Sequence, residues 1–153
     1  MTFSPRATRI DSNESSQPMK KLLHLTAAAA LLAASAAQAA PETTASGLVF
    51  ETITQGSGPS PRASDMVQVH YRGWLPGSDK DFDSSIARGK PAVFGLDMVI
   101  PCWTEAVQKM KVGGKARLTC PPAIAYGSRG AGGVIPPNAT LNFEVELLGI
   151  GKP

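Results

Sequence analysis

The chain has 153 residues, with 15 Lys and Arg against 12 Asp and Glu, a formal net charge of +3, and only two cysteines. That length suits one ordinary domain, and the cysteine count excludes a small disulfide-dense scaffold. Fifteen glycines and thirteen prolines favour turns and short strands over a helical bundle.

The first element is a targeting signal. MKKLLHLTAAAALLAASAAQA, residues 19–39, has Lys20 and Lys21 ahead of an apolar stretch from Leu22 to Ala34, then Ala37-Gln38-Ala39 as a cleavage signal. This is the pattern of a secretory signal peptide. An alanine-rich helix of the folded domain is the alternative, but it would lack a polar face. Residues 1–18 precede Met19 and are read as a misassigned extension, with a genuine longer n-region as the alternative. Residues 1–39 carry four basic and two acidic side chains, so the mature chain keeps 11 and 10, a net charge of +1. No basic stripe with interleaved aromatics remains, and nucleic acid is not expected as a partner. No mature segment reaches the roughly 20 apolar residues of a membrane span.

Residues 40–46 (APETTAS) form a short polar leader, and 47–151 are read as one domain. Leu48–Thr54 is rich in strand formers and ends at the loop QGSGPSP. Met66–Trp74 alternates, with Val67, Val69 and Tyr71 on one face and Gln68, His70 and Arg72 on the other. Short extended pieces are expected around Phe82 and over Ala92–Leu96. A helix is expected over Cys102–Met110, with Trp103, Val107 and Met110 on one face, Glu105 in its first turn, and Gly113-Gly114 beyond its end. Lys115–Cys120 places Ala116, Leu118 and Cys120 inward. Thr140–Leu148 does the same with Leu141, Phe143, Val145 and Leu147. Half-apolar strands belong to antiparallel sheets, whose apolar face a helix must cover. The fold class is therefore α+β: an antiparallel, twisted, five- to six-stranded sheet wrapped around one short amphipathic helix. The loop from Ala123 to Pro137 is long enough to be functional rather than a connector.

The chemistry-bearing residues are sparse. His70 is the only histidine outside the signal, so no metal-ligand spacing and no Ser/His/Asp or Cys/His arrangement is present, and no cofactor is expected. Lys115 and Arg117 read as a solvated strand face. Gly127–Gly133 leads into no helix, which argues against phosphate binding.

VHYRG (69–73), FDSS (82–85), RGKPAVF (88–94), VIPCW (99–103), AYG (125–127), VIPPNATL (134–141) and FEVELL (143–148) resemble, in order and spacing, the FKBP-type peptidyl-prolyl cis–trans isomerases. The resemblance runs from about Gly47 to Ile150. It implies that fold, and a pocket between helix and sheet. It also implies roles. Tyr71, Asp83, Ile100 and Tyr126 would be catalytic, with the Ile100 N–H and the Tyr126 hydroxyl anchoring substrate carbonyls. Phe82, Val99, Trp103, Val134, Ile135 and Phe143 would bind substrate, with Trp103 as the floor and Val134 and Ile135 at the rim. Arg88 would steady Asp83. Taken alone, Tyr71, Trp103 and Phe143 read as plain core, and Asp83 as a turn residue.

The implied function is isomerisation of X–Pro bonds in exported proteins, most simply in the periplasm of a Gram-negative bacterium. The alternative is a non-catalytic chaperone using the same pocket. The implied partners are proline-containing clients and macrolide inhibitors of the rapamycin type. Ala92 and Ala131 stand where many members carry bulkier residues, which implies a more open rim. Larger relatives add a helical dimerisation arm, and the short leader here leads to the expectation of a monomer.

Relatives usually carry Gly at the position of Cys102 and an apolar residue at that of Cys120. Cys120 points inward, and Cys102 stands at the first turn of the covering helix. An exported chain meets an oxidising compartment. A Cys102–Cys120 disulfide is expected, with two buried thiols as the alternative; a Cα separation above about 7 Å would exclude it.

Overall fold

Alternation of apolar and polar side chains builds the sheet. In a computed structural model, which describes residues 39–152, the strands are β1 (Glu42–Thr43), β2 (Val49–Thr54), β3 (Met66–Trp74), β4 (Asp81–Ser84), β5 (Ala92–Gly95), β6 (Lys115–Cys120) and β7 (Leu141–Gly151). The expected signal peptide (but for Ala39) and the expected N-terminal extension lie outside the described residues. All pairings are antiparallel, in the order β1-β2-β6-β7-β3-β4, and β5 also pairs with β3. Seven strands among the described residues exceed the five or six expected.

The surplus is β1. Residues 40–46 join the sheet through Glu42 and Thr43, which pair with Phe50 and Val49. The sheet thus begins five residues ahead of the expected domain start at 47. Two polar, exposed residues carry no hydrophobic period, so the pairing rests on backbone hydrogen bonds that composition does not report. Lys109 Nζ, just past the end of the helix, meets Glu42 Oε1 at 3.1 Å, and Ser46 Oγ donates to Glu105. The leader therefore straps the outer side of the helix.

The inward faces are those expected. Val67, Val69 and Tyr71 of β3, Ala116, Leu118 and Cys120 of β6, and Leu141, Phe143, Val145 and Leu147 of β7 are all buried. Strand β7 runs three residues beyond the expected end. A register shift opposite Gln68 and Val69 breaks its alternation at Leu148, after which Gly149–Gly151 resume pairing with Met66–Gln68. The outward face carries charge pairs such as Lys115–Glu144 at 2.9 Å, the solvated surface anticipated for Lys115 and Arg117.

Helix α1 (Pro101–Gln108) lies across the inward face. It starts one residue earlier than expected, because Pro101 sits at the first helical position, where its missing N–H leaves no bond unmade. Glu105 consequently falls in the second turn. The Ile100 carbonyl accepts from the Trp103 and Thr104 N–H groups, and Thr104 Oγ1 donates to the Leu96 carbonyl at 2.6 Å. At the far end Gly113 takes φ +89°, a left-handed geometry that suits glycine, and its N–H reaches the Leu147 carbonyl at 2.8 Å. Eight residues do not hold a helix in water alone. Burial of Cys102, Trp103, Ala106 and Val107 against the sheet holds this one.

The two cysteines are joined. Cys102 and Cys120 form a disulfide with a Cα separation of 5.8 Å, and neither residue is solvent-exposed. It ties the first turn of α1 to the end of β6. By chain entropy alone, a loop of this length stabilises the fold by about 3 kcal/mol. Replacing both cysteines with alanine is expected to lower the unfolding free energy by about that amount in urea titrations. Strong reductant should then destabilise the parent chain towards the variant's stability and leave the variant unmoved.

Candidate active site

Trp103 is the centre of the site. It is 4% exposed, and its ring lies edge-to-face against Tyr71 (centroids 5.1 Å apart), Phe143 (5.4 Å) and Phe94 (5.6 Å). Phe82 meets Phe143 the same way at 5.7 Å. Such pairs favour perpendicular rings, since a positive ring edge meets a negative face. The indole Nε1 is buried and has no conventional acceptor among the described residues.

Above this floor opens a cleft of about 410 Å³, a size typical of small-ligand sites. It is lined by Tyr71, Phe82, Asp83, Phe94, Met98, Val99, Ile100, Trp103, Tyr126 and Phe143. The fold thus brings together eight of the residues singled out from sequence. Val134 and Ile135 are not among those lining the cleft. Ile135 is buried and exchanges backbone hydrogen bonds with Ala131, while Val134 is exposed on the same loop. Phe94 and Met98 were missed. Phe94 shares a strand face with Ala92, so alternation along β5 carried a usable signal. Met98 ends a single 3-10 turn, Leu96–Met98, and no period marks it.

Glycine makes room for the aromatic wall. A Cβ on Gly73 would stand 2.6 Å from Phe82 Cζ and 2.7 Å from Phe143 Cε1. Gly73 of β3 lets the two rings close over the strand.

One wall is polar. The Tyr71 hydroxyl donates to Asp83 Oδ2 at 2.5 Å, and Arg88 donates to Asp83 Oδ1 at 2.5 Å and to the Tyr71 oxygen at 3.1 Å. Partial burial pushes the Asp83 carboxyl up, but the hydrogen bonds from Tyr71 and Arg88 together outweigh it and hold the carboxyl below its usual range. Burial, then the Asp83 carboxylate, raises the Tyr71 hydroxyl. At neutral pH the wall therefore holds a charged carboxylate and a neutral phenol. Ser85 anchors the segment from beneath: it is fully buried, and its Oγ accepts from the Tyr71 N–H at 2.8 Å.

Two residues lining the cleft carry donors without a partner among the described residues. The Ile100 N–H donates to none of the described residues, and neither does the Tyr126 hydroxyl, whose residue is 41% exposed. Among the described residues no group of His, Cys, Asp and Glu is placed to hold a metal ion.

A family model described as FKBP-type peptidyl-prolyl cis-trans isomerase matches residues 58–148. The chain belongs to this family. It is 51% identical over 122 residues to the FKBP-type isomerase FkpA of Aeromonas hydrophila, covering 80% of this chain and 45% of that protein. It is 48% identical over 104 residues to an FK506-binding protein of Neisseria meningitidis, covering 67% of this chain and 94% of the relative. The crystal structure of a peptidyl-prolyl cis-trans isomerase from Pseudomonas syringae pv. tomato aligns with a TM-score of 0.68 at 42% identity, covering 73% of this chain and 81% of that one. This FKBP-type chain spans about half the length of the curated relatives it first matches.

The polar wall has a pH signature. Asp83 binds its proton more weakly folded than unfolded, so its stabilising contribution is full above about pH 4, the unfolded carboxylate value, and is lost as pH falls through the lower folded value. Carboxyl NMR titration should place the Asp83 midpoint below the ordinary aspartate value, and Arg88→Ala should raise it. Gly73→Ala is expected to cost about 1–3 kcal/mol by overpacking and to shift the ring-current NMR signals of Phe82 and Phe143.

Proposed function

We propose that this chain is a peptidyl-prolyl cis–trans isomerase acting on proline-containing segments of exported proteins. The observation that carries the reading is an apolar cleft floored by Trp103 and lined by Ile100 and Tyr126, whose N–H and hydroxyl have no partner among the described residues.

Rotation about an X–Pro bond breaks amide resonance, a barrier of roughly 18–20 kcal/mol, and uncatalysed exchange takes tens to hundreds of seconds. No bond to a nucleophile forms and no proton leaves. The planar amide is the more polar state, since it carries partial charge on oxygen and nitrogen. The twisted amide carries less. Moving it from water into the aromatic cleft therefore disfavours the planar state more than the twisted one, which is differential binding of the transition state. Trp103, Tyr71, Phe82 and Phe143 hold the proline ring. The Ile100 N–H and the Tyr126 hydroxyl anchor flanking carbonyls, so that rotation is confined to one bond. Asp83, kept ionised by Arg88 and Tyr71, orients and polarises and has no role as a base.

The signal pattern at residues 19–39 and the bacterial relatives support action outside the cytoplasm, in the periplasm of a Gram-negative cell. Macrolides of the rapamycin type are further occupants of the same cleft, with Ala92 leaving one side less covered.

The test is a protease-free isomerisation assay on a proline-containing peptide. Asp83→Val and Tyr126→Phe should each lower kcat/KM at least tenfold, about 1.4 kcal/mol in the barrier, while changing the unfolding midpoint little. Full activity in both variants would overturn the residue assignment. Absence of any rate enhancement in the parent chain, with client aggregation still suppressed, would leave a binding module instead.

A further inference from the structure

We propose that Met98 is a selectively oxidisable residue on the rim of the cleft, and that its conversion to the sulfoxide by hydrogen peroxide weakens peptide binding. This rests on the proposed use of the cleft for peptide segments.

Three methionines occur in the described residues, and their surroundings differ sharply. Met110 is 4% exposed beneath α1, and Met66 is half-buried on β3. Met98 is 83% exposed, the highest value among the exposed large apolar side chains. It also lines the cleft beside Val99, Ile100 and Phe94. Oxidant access follows exposure, so among the described residues the methionine most open to attack is also the one at the mouth of the site. The Cys102–Cys120 disulfide leaves no free thiol among the described residues to consume the oxidant first.

The chemistry is complete with the oxidant named. The thioether sulfur gives an electron pair to one peroxide oxygen, and an S–O bond forms as the O–O bond breaks. The departing hydroxide takes the proton from the oxygen now bound to sulfur and leaves as water, so the sulfur is left as the sulfoxide. Sulfur is oxidised by two electrons and peroxide is reduced by two. The product replaces a flexible apolar side chain with a polar, chiral one on an apolar rim. The polar wall of Tyr71, Asp83 and Arg88 does not take part. The expected effect is therefore on binding, with a roughly fourfold loss of affinity, equivalent to one methylene group removed from apolar contact.

The experiment treats the parent chain with graded hydrogen peroxide and maps oxygen addition by peptide mass spectrometry. Affinity for a labelled proline-containing peptide is read in parallel by fluorescence anisotropy. Met98 should gain oxygen well before Met66 and Met110, and the peptide Kd should rise about fourfold in step with it. Methionine sulfoxide reductase should restore the Kd. Met98→Leu, compared with its own untreated Kd, should not respond to peroxide. Equal oxidation rates at the three methionines would overturn the proposal, and so would an unchanged Kd after complete oxidation of Met98. Binding is measured without turnover, so a chain that binds peptide but fails to isomerise it would defeat the proposed function and leave this inference standing.

Discussion

The edge-to-face packing of Trp103 against Tyr71, Phe94 and Phe143 is the contact on which the rest of the molecule depends. An eight-residue helix has no independent stability, so α1 exists because its one aromatic side chain fills the concave face of the sheet. The same ring is the floor of the cleft. Core and site are therefore one structure, and the cleft inherits the rigidity of the core. This suits a reading in which catalysis comes from a preformed apolar environment rather than from a reactive group. The neighbouring disulfide adds to this by fixing the residue before Trp103 to β6.

The polar wall solves a separate difficulty. A carboxylate beside an aromatic cleft is disfavoured by desolvation and would tend to take up a proton. Asp83 escapes this because the Tyr71 hydroxyl and the Arg88 guanidinium both point hydrogens at it. Arg88 sits half exposed, so the charge is neutralised from the solvent side without closing the mouth of the cleft. The pair contributes little to global stability at such exposure. Its effect is to fix the direction in which Asp83 presents its charge.

Much of this was readable from residue order. The inward sets of β3, β6 and β7 follow from strict alternation over six or more residues, where the two faces differ clearly in polarity. The helix follows from Trp103 and Val107 at helical spacing, though it ends at Gln108, two residues short of the Met110 expected from the sequence. The cysteine pairing follows from Cys102 in the first turn of that helix and Cys120 on the strand face it covers. Phe94 aside, what escaped has no periodic trace. Strand β1 is two polar residues held by main-chain bonds. Met98 reaches the cleft through a single 3-10 turn. Val134 and Ile135 read as equivalent rim residues, yet the backbone pairing of Ile135 with Ala131 turns one inward and leaves the other exposed. Such outcomes depend on loop geometry, which apolar character does not encode.

The strand order bears on when the chain can fold. Strand β7 stands between β6 and β3 and pairs with β3 over nine positions. A chain emerging from its N-terminus presents β3, α1 and β6 long before β7 follows. Until then β3 and β6 share no neighbour, and Trp103 has only part of its enclosure. Contacts so distant in sequence form slowly, because loop closure must come before the burial that rewards it. Such a topology leaves β3 and β6 without their shared partner until β7 joins them. The central position of β7 thus delays assembly of the site until the residues that complete it have arrived.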